Sequence, residues 1–267
     1  MAAPDIGKTL GYGGSAEVDG VQVLVTSGSF SSAFATSWLQ MIQTLPDGTP
    51  ANKVLHADGT TVHSGSVGFD VSKDAMQLFA KTRLLRRFYP FDVGVFDGND
   101  QYKMANCKAT SVSLTGAAGG LVSATVAFLA PATWAPDTVL RAFIRDPTAA
   151  SGQAVGYWWS GAKATLKAKS WTFTMNQDVT PVYGNTAGAD PLYLRVGLTE
   201  YSLDVESYNA LAAGSSDTVY IATDSFTLAG TTSETGFQFN GVTDLGTYRY
   251  LFGSGVTVGD AAQPVVS

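Results

Sequence analysis

His56 and His63 are the only histidines in a chain of 267 residues, and Asp58 stands between them. Imidazole and carboxylate at such spacing are raw material for a metal site or a proton relay. A structural zinc site needs four close Cys or His ligands, however, and the single cysteine, Cys107, is remote in sequence. A serine nucleophile would depend on one of these two histidines, and no Gly-x-Ser-x-Gly elbow is present. Both histidines therefore read as members of a solvated polar loop. Asp204 and Glu206 form a carboxylate pair of the kind glycosidases use. They fall on the outward face of an alternating run, which suits solvated or subunit-pairing charges. Lys81, Arg83, Arg86 and Arg87 are the densest basic cluster, read as one face of a helix that is solvated, faces an acidic neighbouring subunit or, least favoured in an acidic chain, contacts nucleic acid. Trp158 and Trp159 are adjacent aromatics, suited to core or interface packing and, less often, to stacking on a sugar ring. Gly11-Tyr-Gly13-Gly14 is too short for a dinucleotide fingerprint. No catalytic, cofactor-binding or metal-ligating residue is expected, and the chain reads as a non-enzyme that needs no cofactor.

Composition points the same way. Charged residues make up only 14% of the chain, against roughly 25% in ordinary globular proteins. Such a surface must be covered by small polar residues or by partner subunits. The net charge is −6, a poor balance for gripping a phosphate backbone, since that grip comes from Lys and Arg. One cysteine allows no intrachain disulfide. Met1–Lys8 lacks the apolar core of a signal peptide, and no run approaches the ~18 apolar residues of a membrane span. The expectation is a soluble protein made in a cytoplasm, with no membrane partner.

The elements that would position these residues are mostly strands. Residues 1–17 read as a Gly-rich N-terminal arm. Val21, Val23 and Val25 alternate as a first strand. From Ser31 to Leu45 the apolar positions Phe34, Trp38, Met41, Ile42 and Leu45 fall at helical spacing, which predicts a helix. Residues 46–65 read as a long polar loop or flexible hairpin. Val67, Phe69 and Val71 alternate as a strand. Ser72 then caps a predicted helix from Lys73 to about Phe88, with Ala75, Leu78, Phe79, Thr82 and Leu85 on one face. Asp97-Gly98-Asn99-Asp100 and Thr115-Gly-Ala-Ala-Gly-Gly120 mark two hairpins. Thr138 to Ile144 fits a strand or a short helix. Further strands are read around Trp171–Met175, Tyr193–Val196 and Glu200–Ser207, with Tyr201, Leu203 and Val205 on one face.

The strand-turn pattern is written twice. Ser66–Ser72, Val93–Phe96, Lys108–Thr115 and Leu121–Phe128 form one series. Tyr201–Ser207, Val219–Ile221, Phe226–Leu228 and Gly246–Phe252 form the other. Internal repetition of this kind signals a duplicated module. The organisation expected is an arm (1–17), a first β module (18–135), a linker (136–160) and a second β module (161–267).

The run Trp171-Thr-Phe-Thr-Met-Asn-Gln-Asp-Val-Thr-Pro-Val-Tyr-Gly-Asn185, followed by Tyr193-Leu-Arg-Val-Gly-Leu198 and Tyr201-Ser-Leu-Asp-Val205, resembles the major tail tube proteins of siphoviruses, bacteriophages with long non-contractile tails. The first half, with Ser66–Ser72, the 91–104 hairpin and Ala109-Thr-Ser-Val-Ser-Leu-Thr-Gly116, is similar in layout. The resemblance implies a mainly β chain of tandem tail-tube-like sandwich or barrel modules with one or two flanking helices. It implies a structural virion protein whose modules form six-module rings, stacked into a channel for genome passage during ejection. A duplicated chain would need three copies per ring; six copies is the alternative. The implied partners are other copies of the chain, the tape-measure protein, the tail terminator and distal tail proteins, and double-stranded DNA passing through the lumen without sequence-specific binding. The implied location is the virion tail, after assembly in the host cytoplasm. The rival reading is a carbohydrate-binding receptor or adhesin module built around Trp158 and Trp159.

Overall fold

The computed structural model describes residues 15–44, 46–47, 50–72, 75–79, 83–96, 101–117, 121–137, 157–159, 168–184, 189–208, 216–221, 226–238, 247–252 and 257–259. Seven strands fill the first half: β1 (Ser15–Val18), β2 (Val21–Thr44), β3 (Pro50–Asp70), β4 (Phe91–Phe96), β5 (Gln101–Ala117), β6 (Ser123–Ala130) and β7 (Ala135–Pro136). A short 3-10 helix, Ala75–Phe79, lies between β3 and β4. Seven more follow: β8 (Tyr157–Trp159), β9 (Ala168–Val182), β10 (Tyr193–Ser207), β11 (Ser216–Ile221), β12 (Phe226–Gln238), β13 (Thr247–Phe252) and β14 (Thr257–Gly259). All join one sheet, ordered β4-β1-β2-β3-β6-β5-β9-β10-β13-β12-β11-β8, and every pairing is antiparallel. The protein is mainly β.

The pairings repeat. In the first set β1 pairs β4, β2 pairs β3, β3 pairs β6, β4 pairs β5, β5 pairs β6 and β5 pairs β7. In the second set β8 pairs β11, β9 pairs β10, β10 pairs β13, β11 pairs β12, β12 pairs β13 and β12 pairs β14. Each second pairing is the first with both strand numbers raised by seven. Only β1–β2 lacks a counterpart among the described residues. Irregularities recur too. The β2–β3 ladder skips Thr26 and, nine residues on, Ala35. The β9–β10 ladder skips Lys169 and, nine residues on, Asp178. At the second skip each partner strand loops out two residues, Gly59 and Thr60 in β3 and Gly197 and Leu198 in β10. Bulges are fixed features of a strand pair, so their shared spacing aligns β2 with β9 residue by residue.

The first set closes on itself through β1–β4 and β4–β5, giving a six-stranded barrel in the order β1-β2-β3-β6-β5-β4. Its first corner is a two-residue turn, Asp19-Gly20, with φ of 49° and 78°. Both positive angles are what a type I′ hairpin requires, and Asp-Gly is a preferred pair for it. Alternating side chains fill the interior: Val18, Phe69, Val93, Met104, Val112, Leu114, Val126 and Phe128 are buried. The same cluster runs on without a break into Trp171, Phe173 and Met175 of β9 and Leu203 and Val205 of β10. No helix among the described residues is long and apolar enough to cross a membrane.

Two expected helices are absent. Ser31 to Thr44 belongs to β2; Leu45 lies outside the described residues. Phe34, Trp38 and Ile42 are spaced by four, a multiple of two as well as about one helical turn, so the spacing alone does not separate helix from strand. The span 46–65, read as a loop or hairpin, is mostly the return strand β3. Over the predicted helix at 73–88, the described residues hold only the 3-10 turn at Ala75–Phe79 and a run of turns from Arg83 to Phe88. Ser72 does cap: its Oγ accepts the Ala75 N–H at 3.0 Å. An α-helix would place Leu84 and Leu85 about 100° apart, whereas here Leu78, Phe79, Leu84 and Leu85 are all buried. Leu84 N–H donates to the carbonyl of Leu78, six residues back. Burial of this apolar set overrides helix propensity. Ser15–Glu17, read as part of the arm, lie in β1, and β8 lies inside the span read as linker. Thr138–Ile144 falls outside the described residues.

Candidate assembly interface

One ladder joins the two strand sets. Ser111–Ala117 of β5 pairs with Ser170–Asn176 of β9, Ser111 opposite Asn176, Leu114 opposite Phe173 and Gly116 opposite Trp171. The residues that face the core across it, Val112, Leu114, Phe173 and Met175, are fully buried. Gly116 is required here: a Cβ at this position would lie 2.4 Å from the Trp171 indole nitrogen. The end of the ladder is sealed by Gln177, a buried amide whose Nε2 donates to the Ala109 carbonyl at 2.9 Å, while its Oε1 accepts from the Thr199 hydroxyl at 3.2 Å.

Two contacts from the first set brace the second. The turn segment after β3 lies across both. Phe79 stacks on Phe69 of β3, and Tyr201 of β10 donates its hydroxyl to the Leu85 carbonyl at 2.6 Å while stacking on Phe173. Burial raises the Tyr201 pKa above its ordinary value, which keeps the phenol a donor. Arg83 anchors that segment to the Asp19 turn, its Nε 2.7 Å from Asp19 Oδ2, and Tyr89 donates to the same carboxylate at 3.0 Å. The loop after β9 meets β3: Tyr183 donates to the Thr61 carbonyl at 2.9 Å, Thr61 N–H donates to Ala189, and His63 Nε2 lies 2.8 Å from Asp190 Oδ1.

Comparison with known proteins gave no matching family model and no significant match to a curated protein. The geometry of the chain's own edges carries the argument.

In a closed barrel each strand has one neighbour on either side, so β1 and β3 flank β2. β1 covers β2 only at Val21–Val23. Past that point the β1 side of β2 has no strand partner among the described residues. In β9 the equivalent side is the one that β5 occupies. β12 repeats the arrangement of β5: β11 covers Phe226–Thr231, and beyond it Thr232–Gln238 is paired by β13 alone. With the skips at Thr110 and Thr235 matched, that stretch corresponds to Cys107–Ser113 of β5, of which Ser111–Ser113 pair with β9. Among the described residues, one β5-to-β9 seam is made internally, and one half of the same seam has no strand partner in each set. Unpaired edges are templates for another chain, and proteins rarely leave them long and flat without a use.

The residues singled out by chemistry scatter over this frame. His63 is not in a solvated loop: it sits in β3 with its side chain 3% exposed against Asp190. His56 and Asp58 are also in β3, and pair with Trp38 and Thr36. Asp204 and Glu206 do occupy one face of β10, but they are engaged within the chain rather than free. Asp204 takes Arg249 of β13 in a two-pronged contact, and Glu206 accepts from Thr247 at 2.7 Å, Ser170 at 3.1 Å and Lys169 at 3.2 Å. The Thr247 bond, outweighing partial burial and joined by Lys169 and Ser170, lowers the Glu206 pKa. The basic cluster does not form a helix face: Arg83 binds Asp19, Arg86 and Arg87 are exposed, and Lys81 lies outside the described residues. Cys107 is buried and its thiol is pushed up by burial. Trp158 and Trp159 form β8. Asp19 and Gln177 were not singled out, although Val18-Asp-Gly-Val21 carries the hairpin signal that marks the first.

Proposed function

We propose that the chain is a structural protein of a phage virion, and that copies of it form rings stacked into the tail tube through which double-stranded DNA passes. The observation that carries this reading is the repeated strand set with a seam used once inside the chain and left half-made in each set among the described residues. A head-to-tail interface of this kind builds a ring if its rotation closes. Two sets per chain make three chains the number for a six-set ring. The low charge content suits a surface largely covered by neighbours, and the net charge of −6 suits a conduit to which phosphate does not adhere. The tape-measure protein in the lumen and terminator and distal proteins at the tube ends are the partners this role requires.

A second feature supports stacking. Thr36–Thr44 and Pro50–Asp58 pair only with each other among the described residues. Nine residues of strand reach about 30 Å at ~3.3 Å each. A bare two-stranded ribbon is marginal in water, so an arm of that length needs a surface to lie on, and the neighbouring ring supplies one. Negative-stain microscopy of the purified protein tests the proposal: hollow tubes or discrete rings are expected. A chain that stays monomeric at high concentration and binds immobilised glycans would replace it with the receptor-module reading.

A further inference from the structure

The sheet has two faces of opposite chemistry where it crosses β3, β6, β5, β9 and β10. On one face Val67, Val126, Val112, Phe173 and Leu203, one from each strand, are buried. The ladders set the other face in rows. Gly68, Thr125, Ser113, Thr174 and Ser202 stand side by side across the same five strands. The rows on either side run from Ser66 to Glu200 and from Asp70 to Asp204, and hold no apolar residue larger than Ala127. The drive to leave water scales with apolar area, so a face of short hydroxyls has little reason to be covered.

The cations on this face are already engaged. Arg249 grips Asp204 with two nitrogens, Lys169 donates to Glu206 at 3.2 Å, and Lys108, at the margin of the rows, donates to the Phe88 carbonyl. Arg195 stands past the loop-out at Gly197 and Leu198, off these rows. The apolar side is different. There the turn segment over the core exposes Arg86, Arg87 and Phe88. Phosphates are held by Lys and Arg, so a duplex drawn along that side would stick.

We infer that the hydroxyl rows are the face turned to the lumen, and that Asp204 and Glu206 mask Arg249 and Lys169 from the phosphates of the passing duplex, given the tube reading above, on which this rests. Net charge alone does less: repulsion between exposed charges is screened beyond about 8–10 Å in salt. An ion pair inside the face removes the adhesive contact itself. The Asp204–Arg249 pair is the firmer mask, because a two-pronged guanidinium–carboxylate contact is stronger than a single bond.

Two measurements on assembled tubes test this. The first is access. Ser113→Cys reports the hydroxyl rows and Arg87→Cys the opposite side, and the native Cys107 is buried. Both should react with a small maleimide. In tubes Ser113→Cys should be shielded from a maleimide carried on a globular protein, yet open to it in unassembled chains. Equal reaction of both cysteines with the protein-borne reagent, in tubes of normal form, would overturn the lumen assignment and leave the tube reading standing. The second is adhesion, read as short DNA duplex that sediments with the tubes and survives nuclease. Asp204→Asn with Glu206→Gln uncovers both cations and should retain about tenfold more duplex than wild type at low salt, an excess that added salt abolishes. Adding Arg249→Gln and Lys169→Gln should return retention to the wild-type level, which a merely loosened sheet would not do. Each carboxylate variant is also made singly, so that a pair unable to assemble still leaves two readings. Retention no higher than wild type in variants that form tubes would overturn the masking. A wild-type chain that stays monomeric at all concentrations would sink the tube reading and the lumen face with it.

Discussion

Phe30 and Phe173 occupy the same place in two strands with the same two skips, yet β5 completes the edge of one and no strand among the described residues completes the edge of the other. The two strand sets share a body and differ in what is attached to it. Beyond the second skip, the β2–β3 ribbon runs from Thr36 to Thr44, whereas β9 ends at Val182. At the position where β3 has Gly68, close against Ser27, β10 has Glu206 with its ring of Thr247, Ser170 and Lys169. The first set supplies the long arm and the apolar cover; the second supplies the charged cross-strand lattice. The two sets share a pairing pattern, while side chains off the seam differ between them.

The largest effect should come from the cover, because it spans both sets. Leu85 is buried beneath Tyr201 and beside the first core. Leu85→Asp puts an unpaired charge there, at a cost of about 4 kcal/mol or more, and should abolish soluble assembly. Thermal unfolding of any recovered protein should show one transition for both sets. Two separate transitions would mean that the seam does not couple them.

Next is the arm. Ser37–Ala57 is replaced by Asn-Gly, which closes a type I′ hairpin on the Thr36–Asp58 pair. The shortened chain should fold with a midpoint close to wild type and sediment as rings, with no tubes by microscopy. Tubes of normal length would remove the arm from stacking. The third comparison concerns the seam itself. Gly116→Ala drives a Cβ into the Trp171 indole, an overpacking expected to cost about 1–3 kcal/mol in denaturant unfolding. Trp171→Leu in the same chain should recover part of it, a coupling that a double-mutant cycle reads directly. β2 carries Gly28 at the position equivalent to Trp171, so the same clash has no counterpart there.

The β class, the antiparallel pairings of β4 with β5 and of β5 with β6 and the alternation of Val67, Phe69, Val71 and of Tyr201, Leu203, Val205 were legible because period two is unambiguous when β-branched and aromatic residues carry it; the turns at 97–100 and 118–120 lie outside the described residues. The repeat of the strand pattern was legible, but its register was not. The sequence pattern sets Ser66–Ser72 against Tyr201–Ser207, whereas the ladders match Phe69 with Ser207, because bulges shift the numbering and leave no mark in composition. The segment 31–45 misled because residues spaced by four satisfy both periods. The seam was invisible for a more basic reason. Which two strands pair is decided by ladder geometry, and the alternation of Val112 and Leu114 against Phe173 and Met175 says only that each has a buried face.

The smallest effect expected is also the most specific to the second set. Glu206 titrates below the ordinary Glu range because Thr247, Lys169 and Ser170 hydrogen-bond its carboxylate form, partial burial opposing them. Its folded pKa is thus lower than its unfolded one, near 4.3. Such a group stabilises the fold at pH values above the unfolded pKa, and that contribution fades as pH falls through the folded one. Glu206→Gln removes the titration while keeping an acceptor for Thr247. Wild type should therefore lose stability relative to this variant as the pH is lowered from about 5 through the unfolded Glu value of about 4.3, with the gap unchanged between pH 6 and 8. Unfolding midpoints in parallel at each pH read the difference. Gly68 stands at the equivalent position in the first set and cannot titrate, so the acid-sensitive part of the response belongs to the β9–β10–β13 lattice. If wild type and Glu206→Gln lose stability in parallel across that range, the carboxylate is not held by the lattice in solution, and the contrast between Gly68 of the first set and Glu206 of the second has no energetic consequence.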